Sequence, residues 1–160
     1  MILEIKLLVL MGVANGAPIV ARWLLGRRAA WPLDGGLRFV DGQPLFGATK
    51  TLRGLLAAVA ACTACAPLLG FAWTTGLLIG LFAMLGDLAA SFVKRRLRLT
   101  PSSQALGLDQ IPEALLPLLA VQARLALDAW QILALVAVFA ALELLISPLL
   151  YRLGIRHRPY

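Results

Sequence analysis

Long runs of apolar residues constrain this chain more than any other feature. A bilayer core about 30 Å thick requires roughly 20 mostly apolar residues per helix. Five candidate segments cover residues 2–25, 54–72, 73–92, 111–124 and 127–153, of which the fourth is short and could instead be re-entrant. Hydrophobic residues make up 61% of the 160 residues, more than one soluble core can bury. We therefore predict one all-α membrane domain over residues 1–160, a polytopic bundle of about five spans with two large cytoplasmic loops.

Two other interpretations of the apolar segments do not fit the sequence. A membrane β-barrel needs many strands in which apolar and polar residues alternate, and that alternation is missing. A signal peptide needs a basic start and a small-residue cleavage site, and the first apolar segment has neither. We therefore expect the first segment to be a retained span.

The placement of lysine and arginine predicts the orientation, because these residues collect in short cytoplasmic loops. With five spans and the N-terminus outside, thirteen of the fifteen cations lie inside and only Lys6 and Arg124 lie outside. We therefore expect a multi-pass protein of the cell membrane, with both large loops and the C-terminus in the cytoplasm.

The net charge of +7 is explained by this orientation and by attraction to anionic lipid headgroups, so we predict no nucleic-acid partner. The cations after the last span, Arg152, Arg156 and Arg158, fit this explanation, and His157 among them is expected to be solvated. The oligomeric state is left open.

A polar stripe is predicted on the third helix. In a helix over about residues 73–98, the side chains of Asp87, Ser91, Lys94 and Arg98 would share one face. An acid within an apolar span is a functional candidate by default, since its charge is costly there unless paired, hydrated or metal-bound. The alternative is a structural ion pair between Asp87 and a cation from another loop.

The first inner loop, WPLDGGLRFVDGQPLFGATKTLRG, combines glycines with acids and cations. Glycines let a backbone approach an anion closely, and Lys50 and Arg53 could neutralise phosphate charge. The loop fails the Walker A pattern because Ala48 follows Gly47, which places Lys50 too late. A phosphate cradle and an ordinary glycine-rich turn both remain open.

The stretch LDQIPEALLP predicts the start of the fourth helix. Pro112 and Glu113 suit its first turn, and Asp109 suits its N-cap. A helix N-terminus also offers N–H groups to an anion, and an acid there could hold a divalent metal. Asp109 could therefore serve in capping or in catalysis.

A CxxC pair lies in the second segment. Cys62 and Cys65 sit in a TACAP context that favours close helix packing, so we predict neither a zinc site nor a disulfide. The neighbouring small residues expected to pack closely are Ala57, Ala60, Ala61 and Ala64.

Several motifs together resemble the CDP-archaeol synthase family. They are GDLAASFVKRR, LDQIPE, LDGGLRFVDG, FGATKTLRG, VANGAP and the closing LGIRHRPY, which cover nearly the whole chain. The central pieces are also similar to the C-terminal signature of the larger CDP-diacylglycerol synthases. The resemblance implies a cytidylyltransferase that uses CTP, a lipid phosphate and Mg²⁺, and releases a CDP-lipid and pyrophosphate.

The same resemblance implies roles for individual residues. Asp87 and Asp109 become candidate Mg²⁺ ligands and catalytic residues, together with the catalytic cations Lys94 and Arg95. The implied substrate-binding residues are Asn15, Lys50, Thr51, Arg53, Ser91, Arg96 and Gln110. Asn15 is expected to face the interior of the bundle.

Two departures from the family pattern affect what can be carried over. Ala48 and Thr49 stand where the family usually has Asp and Gly, and LTPSSQALG lacks the second acid of the larger enzymes' signature. Their metal geometry therefore cannot be copied. The lipid could be an ether-linked archaeal-type phosphate or phosphatidic acid, since either would meet Leu and Ala surfaces. A non-enzymatic transporter or assembly partner that uses Asn15 and Asp87 is the alternative function.

Overall fold

A computed structural model describes residues 1–26, 28–100, 103 and 105–152, with side chains up to residue 147. Within these residues the architecture is all-α, as predicted. The five helices are α1 Ile2–Leu25, α2 Leu52–Leu68, α3 Trp73–Arg96, α4 Gln110–Leu125 and α5 Ala129–Arg152. Extended pairing in the described part of the chain is confined to two isolated bridges in the loop before α2. Arg27, Arg156, His157 and Arg158 lie outside the described residues.

In the part of the chain that the structure describes, three helices are by length and composition apolar enough to cross a membrane: Ile2–Leu25, Trp73–Arg96 and the Ala129–Ser147 part of α5. The second predicted segment is a shorter apolar helix that ends at Leu68, because Gly70 turns the chain with a φ of 81°. The fourth contains 16 residues, about 24 Å of helix, which is less than the bilayer core. The short fourth segment expected from the sequence is therefore observed.

The polar stripe on α3 is shorter than predicted. The helix ends at Arg96, and Arg98 is exposed in a left-handed conformation with a φ of 55°. Its backbone N–H donates to the Arg95 carbonyl in a tight turn. The prediction that Arg98 continues the stripe is therefore wrong, whereas Asp87, Ser91 and Lys94 remain on the helix.

Glycines on α3 let its neighbours approach closely. A Cβ at Gly76 would lie 2.2 Å from the Cys62 carbonyl oxygen of α2, and one at Gly86 would lie 2.2 Å from the Pro112 oxygen of α4. The residues that α2 buries are Gly54, Ala58, Cys62 and Ala66. The prediction that Ala57, Ala60, Ala61 and Ala64 pack closely against neighbouring helices is therefore wrong. These alanines are half-buried or exposed, and a different face of α2 is buried.

The helix order collects the charged segments at one end of the bundle. The C-terminal ends of α1 and α3 lie there with the N-terminal ends of α2 and α4, because consecutive helices run in opposite directions. The loop of residues 26–51 and the turn of residues 97–109 therefore meet at this end. The apolar core beneath them includes Leu7, Leu10, Met11, Ile79 and Leu118.

Candidate active site

Asp87 of α3 forms an ion pair with Lys50 from the first loop. The Lys50 ammonium lies 2.5 Å from each carboxylate oxygen of Asp87. Both side chains keep about a fifth to a quarter of their surface accessible, 24% for Lys50 and 21% for Asp87. The structure therefore contains the ion pair that the sequence offered as an alternative, between Asp87 and a cation from another loop. The role of this pair depends on the residues around it.

Asp34 organises the loop that carries Lys50. Its buried carboxylate accepts backbone hydrogen bonds from Gly36, Phe46 and Gly47. Burial opposes the charge, but these three N–H donors outweigh it and hold the pKa of Asp34 below its ordinary value. Gly47 has a φ of 97°, which favours glycine at this turn. The loop is a defined structure folded around one acid.

A second ion pair joins α3 to the start of α4. Lys94 Nζ lies 2.6 Å from Asp109 Oδ1 and donates to the Ser103 carbonyl. Asp109 occupies the N-cap position, but its side chain makes no capping hydrogen bond. Its other oxygen accepts from the Ala105 N–H instead. Capping therefore does not account for Asp109.

Glu113 of α4 is the site residue that the sequence reasoning missed. It is buried, and its carboxylate accepts a 2.9 Å hydrogen bond from Asn15 Nδ2 of α1. The Glu113 carboxyl also lies against that of Asp87. One signal could have found it: Glu113 follows Asp109 by four residues, which places both acids on one face of α4.

The three acids surround one lysine. Burial disfavours the charged Lys50 ammonium, but the carboxylates of Asp87, Glu113 and Asp109 outweigh burial and raise the pKa of Lys50 above its ordinary value. Lys50 thus remains protonated and provides positive charge at neutral pH. Three carboxylates and two lysines from four segments form one network at the charged end of the bundle.

Arg95 lies beside this network with unused donor capacity. It is buried, and its Nη2 donates to the Thr100 carbonyl. Its Nε has no hydrogen-bond partner among the described residues. An anion is the ligand that such a guanidinium could bind.

Arg96 holds the first loop to α3. Its guanidinium lies 4.7 Å from the ring centroids of both Phe39 and Phe92, and it donates to the Gln43 and Pro44 carbonyls. It also pairs with Asp41 at 2.9 Å. The structure therefore uses Arg96 to attach the loop.

The remaining predicted residues make local contacts. Thr51 caps α2 by accepting from the Gly54 N–H, and Arg53 donates to the Gly26 and Arg28 carbonyls after α1. Gln110 is buried and accepts from the Gly107 N–H. Ser91 is buried on α3 one turn after Asp87.

The structure gathers Asn15, Lys50, Asp87, Lys94 and Asp109, whereas Thr51 and Arg53 lie at the adjoining helix ends.

The acids fit part of the ligand set of a magnesium ion whose remaining ligands come from a phosphate substrate and water. Among the described residues, no three His, Cys, Asp or Glu side chains form a complete metal-binding cluster. Mg²⁺ in nucleotide enzymes is commonly held by one or two carboxylates, with substrate phosphates and water supplying the rest. The adjacent carboxyls of Asp87 and Glu113 provide such a partial set.

Comparison with known proteins identifies the family. The family model for CarS-like CDP-archaeol synthases matches residues 2–160. The chain belongs to the CDP-archaeol synthase family. The CDP-archaeol synthase of Sulfurisphaera tokodaii is 37% identical over 155 residues, which cover 92% of this chain and 89% of that protein. The CDP-archaeol synthase of Thermofilum pendens is 42% identical over 106 residues, which cover 62% and 51% of the two chains.

A solved structure supports the same assignment. It is described as an intramembrane enzyme for archaeal membrane lipid biosynthesis. It is 33% identical to this chain, has a TM-score of 0.75 and covers 89% of this chain and 90% of its own. This member of the CDP-archaeol synthase family is therefore a multi-pass membrane cytidylyltransferase of lipid biosynthesis. The enzyme prediction is confirmed over the transporter or assembly-partner alternative.

Proposed function

We propose that this enzyme transfers the cytidylyl group of CTP to a lipid phosphate in the presence of Mg²⁺. An oxygen of the lipid phosphate attacks the α-phosphorus of CTP and forms the new P–O bond. The bond from the α-phosphorus to the α,β-bridging oxygen breaks, and its electron pair leaves with pyrophosphate. The lipid phosphate is already ionised at neutral pH, so the reaction requires no strong general base.

The observation that supports this proposal best is the network of Lys50, Asp87, Lys94, Asp109 and Glu113. Each lysine pairs with a carboxylate at 2.5 or 2.6 Å in the structure. When polyanionic substrates bind, the ammonium groups can turn toward phosphate oxygens while the carboxylates become free to bind a cation. The pairs thus balance opposite charges within the network and supply both kinds of charge that phosphoryl transfer uses.

Asp87 and Glu113 are the residues that would hold Mg²⁺, with Asp109 as a nearby acid. Bound there, Mg²⁺ would neutralise triphosphate charge and help pyrophosphate to leave. Asn15 fixes the Glu113 carboxylate by hydrogen bonding. It is therefore a positioning residue.

Lys50, Lys94 and Arg95 are the proposed phosphate-binding cations. They come from the first loop and from the end of α3, and so surround the carboxylates from two sides. The free Nε of buried Arg95 adds a directed donor at this end. The base preference for CTP and the choice of an archaeol-type lipid phosphate follow from the names of the relatives.

An assay with purified enzyme in lipid nanodiscs tests the proposal. It combines each of the four nucleoside triphosphates with an ether-linked or acyl-linked lipid phosphate, with and without a chelator. We expect CDP-lipid and pyrophosphate in equal amounts from CTP, and none in chelator. Turnover in chelator would contradict the metal requirement, and a folded enzyme that makes no product with any pair would contradict the reaction.

We also propose that the N-terminus lies outside and that the network faces the cytoplasm, where CTP is available. The partition of Lys and Arg supports this orientation. Reporter fusions at both termini and in the loops of residues 26–51 and 97–109 measure it. A C-terminus on the same side as the N-terminus would contradict the proposed odd number of crossings.

A further inference from the structure

A cavity of about 170 Å³ lies between α1 and α5 and is open on one side. It is lined by Leu8, Gly12, Asn15, Gly16 and Ile19 of α1 and by Phe139, Leu142, Glu143, Ile146 and Ser147 of α5. Leu142 and Ile146 are 40% and 45% exposed, so the cavity reaches the outer surface of the bundle. In a membrane, that surface faces lipid.

The register of α1 and α5 shows how polarity changes along this cavity. Gln131 donates to Glu4, and each is the third residue of its helix, so the two helices start at the same end. Gly12 is then level with Phe139, and Gly16 is level with Glu143. The first half of the cavity is therefore apolar, Asn15 and Glu143 add polar groups in its middle, and Ile19 and Ile146 line it beyond that level.

The polar side chains of the cavity connect it to the active-site network. Asn15 lines the cavity and donates to Glu113, which in turn lies against Asp87. Glu143, on the opposite wall, interacts electrostatically with Glu113. The cavity thus runs from a lipid-facing opening to Asn15, which contacts the carboxylate of Glu113 in the proposed reaction site.

Two glycines leave this space open. A Cβ at Gly12 or Gly16 would meet nothing within 4 Å, whereas at Gly76, Gly80 and Gly86 it would clash with a neighbouring helix. Glycine weakens a helix interior, and in membrane helices it usually lets another helix approach closely. Among the residues that the structure describes, no helix packs against the Cβ positions of Gly12 and Gly16, so close packing does not explain these glycines.

We propose that this cavity binds a hydrocarbon chain of the lipid phosphate, and that Gly12 and Gly16 keep it open for that chain. The inference rests on the proposed function and identifies where its membrane substrate lies. The chain lies between α1 and α5, and its phosphate is directed past Asn15 toward Lys50, Lys94 and Arg95. A hydrocarbon chain matches the mostly apolar lining, and Asn15 is the lining residue that contacts the active-site network.

Gly12→Leu and Gly16→Leu place a side chain in the cavity at positions where a Cβ has open space, and so test the inference kinetically. Val9→Phe is the matched control, since it adds the same number of carbon atoms at an exposed α1 position that does not line the cavity. We expect KM for a long-chain lipid phosphate to rise about tenfold or more in the glycine variants. KM for CTP, and all constants of the control, should stay near wild type. An unchanged lipid KM in both glycine variants would overturn the inference.

A binding experiment gives an answer even if no CTP turnover is found. A lipid phosphate with a photoreactive group in its chain is cross-linked to the enzyme in nanodiscs, and the sites are mapped by mass spectrometry. We expect labels in residues 8–19 and 139–147 that unlabelled lipid phosphate removes and a neutral lipid with the same chains does not. Gly12→Leu should reduce them and Val9→Phe should not. Labelling elsewhere, or equal competition by the neutral lipid, would overturn the inference.

Discussion

The lysines and arginines at the charged end of the bundle have different kinds of partner. Lys50 and Lys94 pair with carboxylates, whereas Arg53 and Arg96 donate mainly to backbone carbonyls. Arg96 also lies between two aromatic rings. An ammonium on a flexible stem can exchange one anion for another, while a planar guanidinium with several fixed partners holds its surroundings in place. Lys50 and Lys94 therefore suit the chemistry, whereas Arg53 and Arg96 suit the scaffold.

The largest effect is expected from the acids that pair with the lysines. Asp87→Asn and Asp109→Asn keep the side-chain shape but remove the charge that can hold Mg²⁺ or orient a lysine. We expect each to lower kcat by at least about 100-fold in the CDP-lipid assay. Both variants should be extracted from the membrane and elute like wild type in size-exclusion chromatography. Near-normal turnover by either variant would remove that acid from the mechanism.

Replacing one lysine and one arginine separately with methionine tests the comparison between the lysines and the arginines. We expect Lys50→Met to abolish most of the turnover per folded molecule, because it removes a phosphate-binding charge. We expect Arg96→Met to lower the melting temperature by about 5 °C and to keep most of the turnover per folded molecule. Thermal unfolding and the assay are measured on the same samples. The reverse pattern would exchange the two roles.

A smaller effect is expected from the positioning residue Asn15. Asn15→Leu leaves the Glu113 carboxylate without its hydrogen bond, so Glu113 should orient less well toward Asp87. We expect kcat to fall about tenfold and the Mg²⁺ concentration for half-maximal rate to rise. Asn15→Gln keeps a donor and should recover part of this loss. An unchanged Mg²⁺ dependence in Asn15→Leu would show that Asn15 has only a packing role.

The smallest effect concerns Asp34, which belongs to the loop scaffold. Its folded-state pKa is below the ordinary value of 3.8, so its stabilisation is complete above that pH and is lost as the pH falls through the folded-state pKa. We expect the wild-type loop to resist protease cleavage near exposed Arg38 at pH 5 and above. Asp34→Asn should be cleaved faster at every pH. Equal cleavage of the two proteins would show that Asp34 does not organise the loop.

The helices could be predicted because a bilayer imposes segment length and composition directly on the sequence. The ends of the helices were less predictable, because local turns determine them. Arg98 adopts a left-handed conformation and so does not continue the α3 stripe, and the turn at Gly70 ends the second segment earlier than expected. The motifs singled out Asp87 and Asp109, but a motif does not show which partner a side chain meets. Lys50 and Asp87 are 37 positions apart, and the loop fold around Asp34 brings them together.

Glu113 shows the limit of pattern reasoning most clearly. Its place in the first turn of α4 suited helix capping, so its sequence context gave no reason to seek a partner 98 positions away in α1. Gly86 lets α4 pack closely on α3 at Pro112 and Glu113, and the Glu113 carboxyl lies against that of Asp87. The distinction between Arg96 and the lysines likewise depends on tertiary contacts, because all are basic residues beside the same motifs.

The double variant Lys50→Met with Asp87→Leu tests most directly whether this ion pair serves chemistry or structure. Replacing both partners by apolar side chains leaves neither member of the pair without its partner, and such replacements are often neutral or stabilising. We predict a folded protein that melts at or above the wild-type temperature and makes no CDP-lipid from CTP, a lipid phosphate and Mg²⁺. Turnover near the wild-type rate in that protein would contradict the account and show that the pair is only a structural bridge.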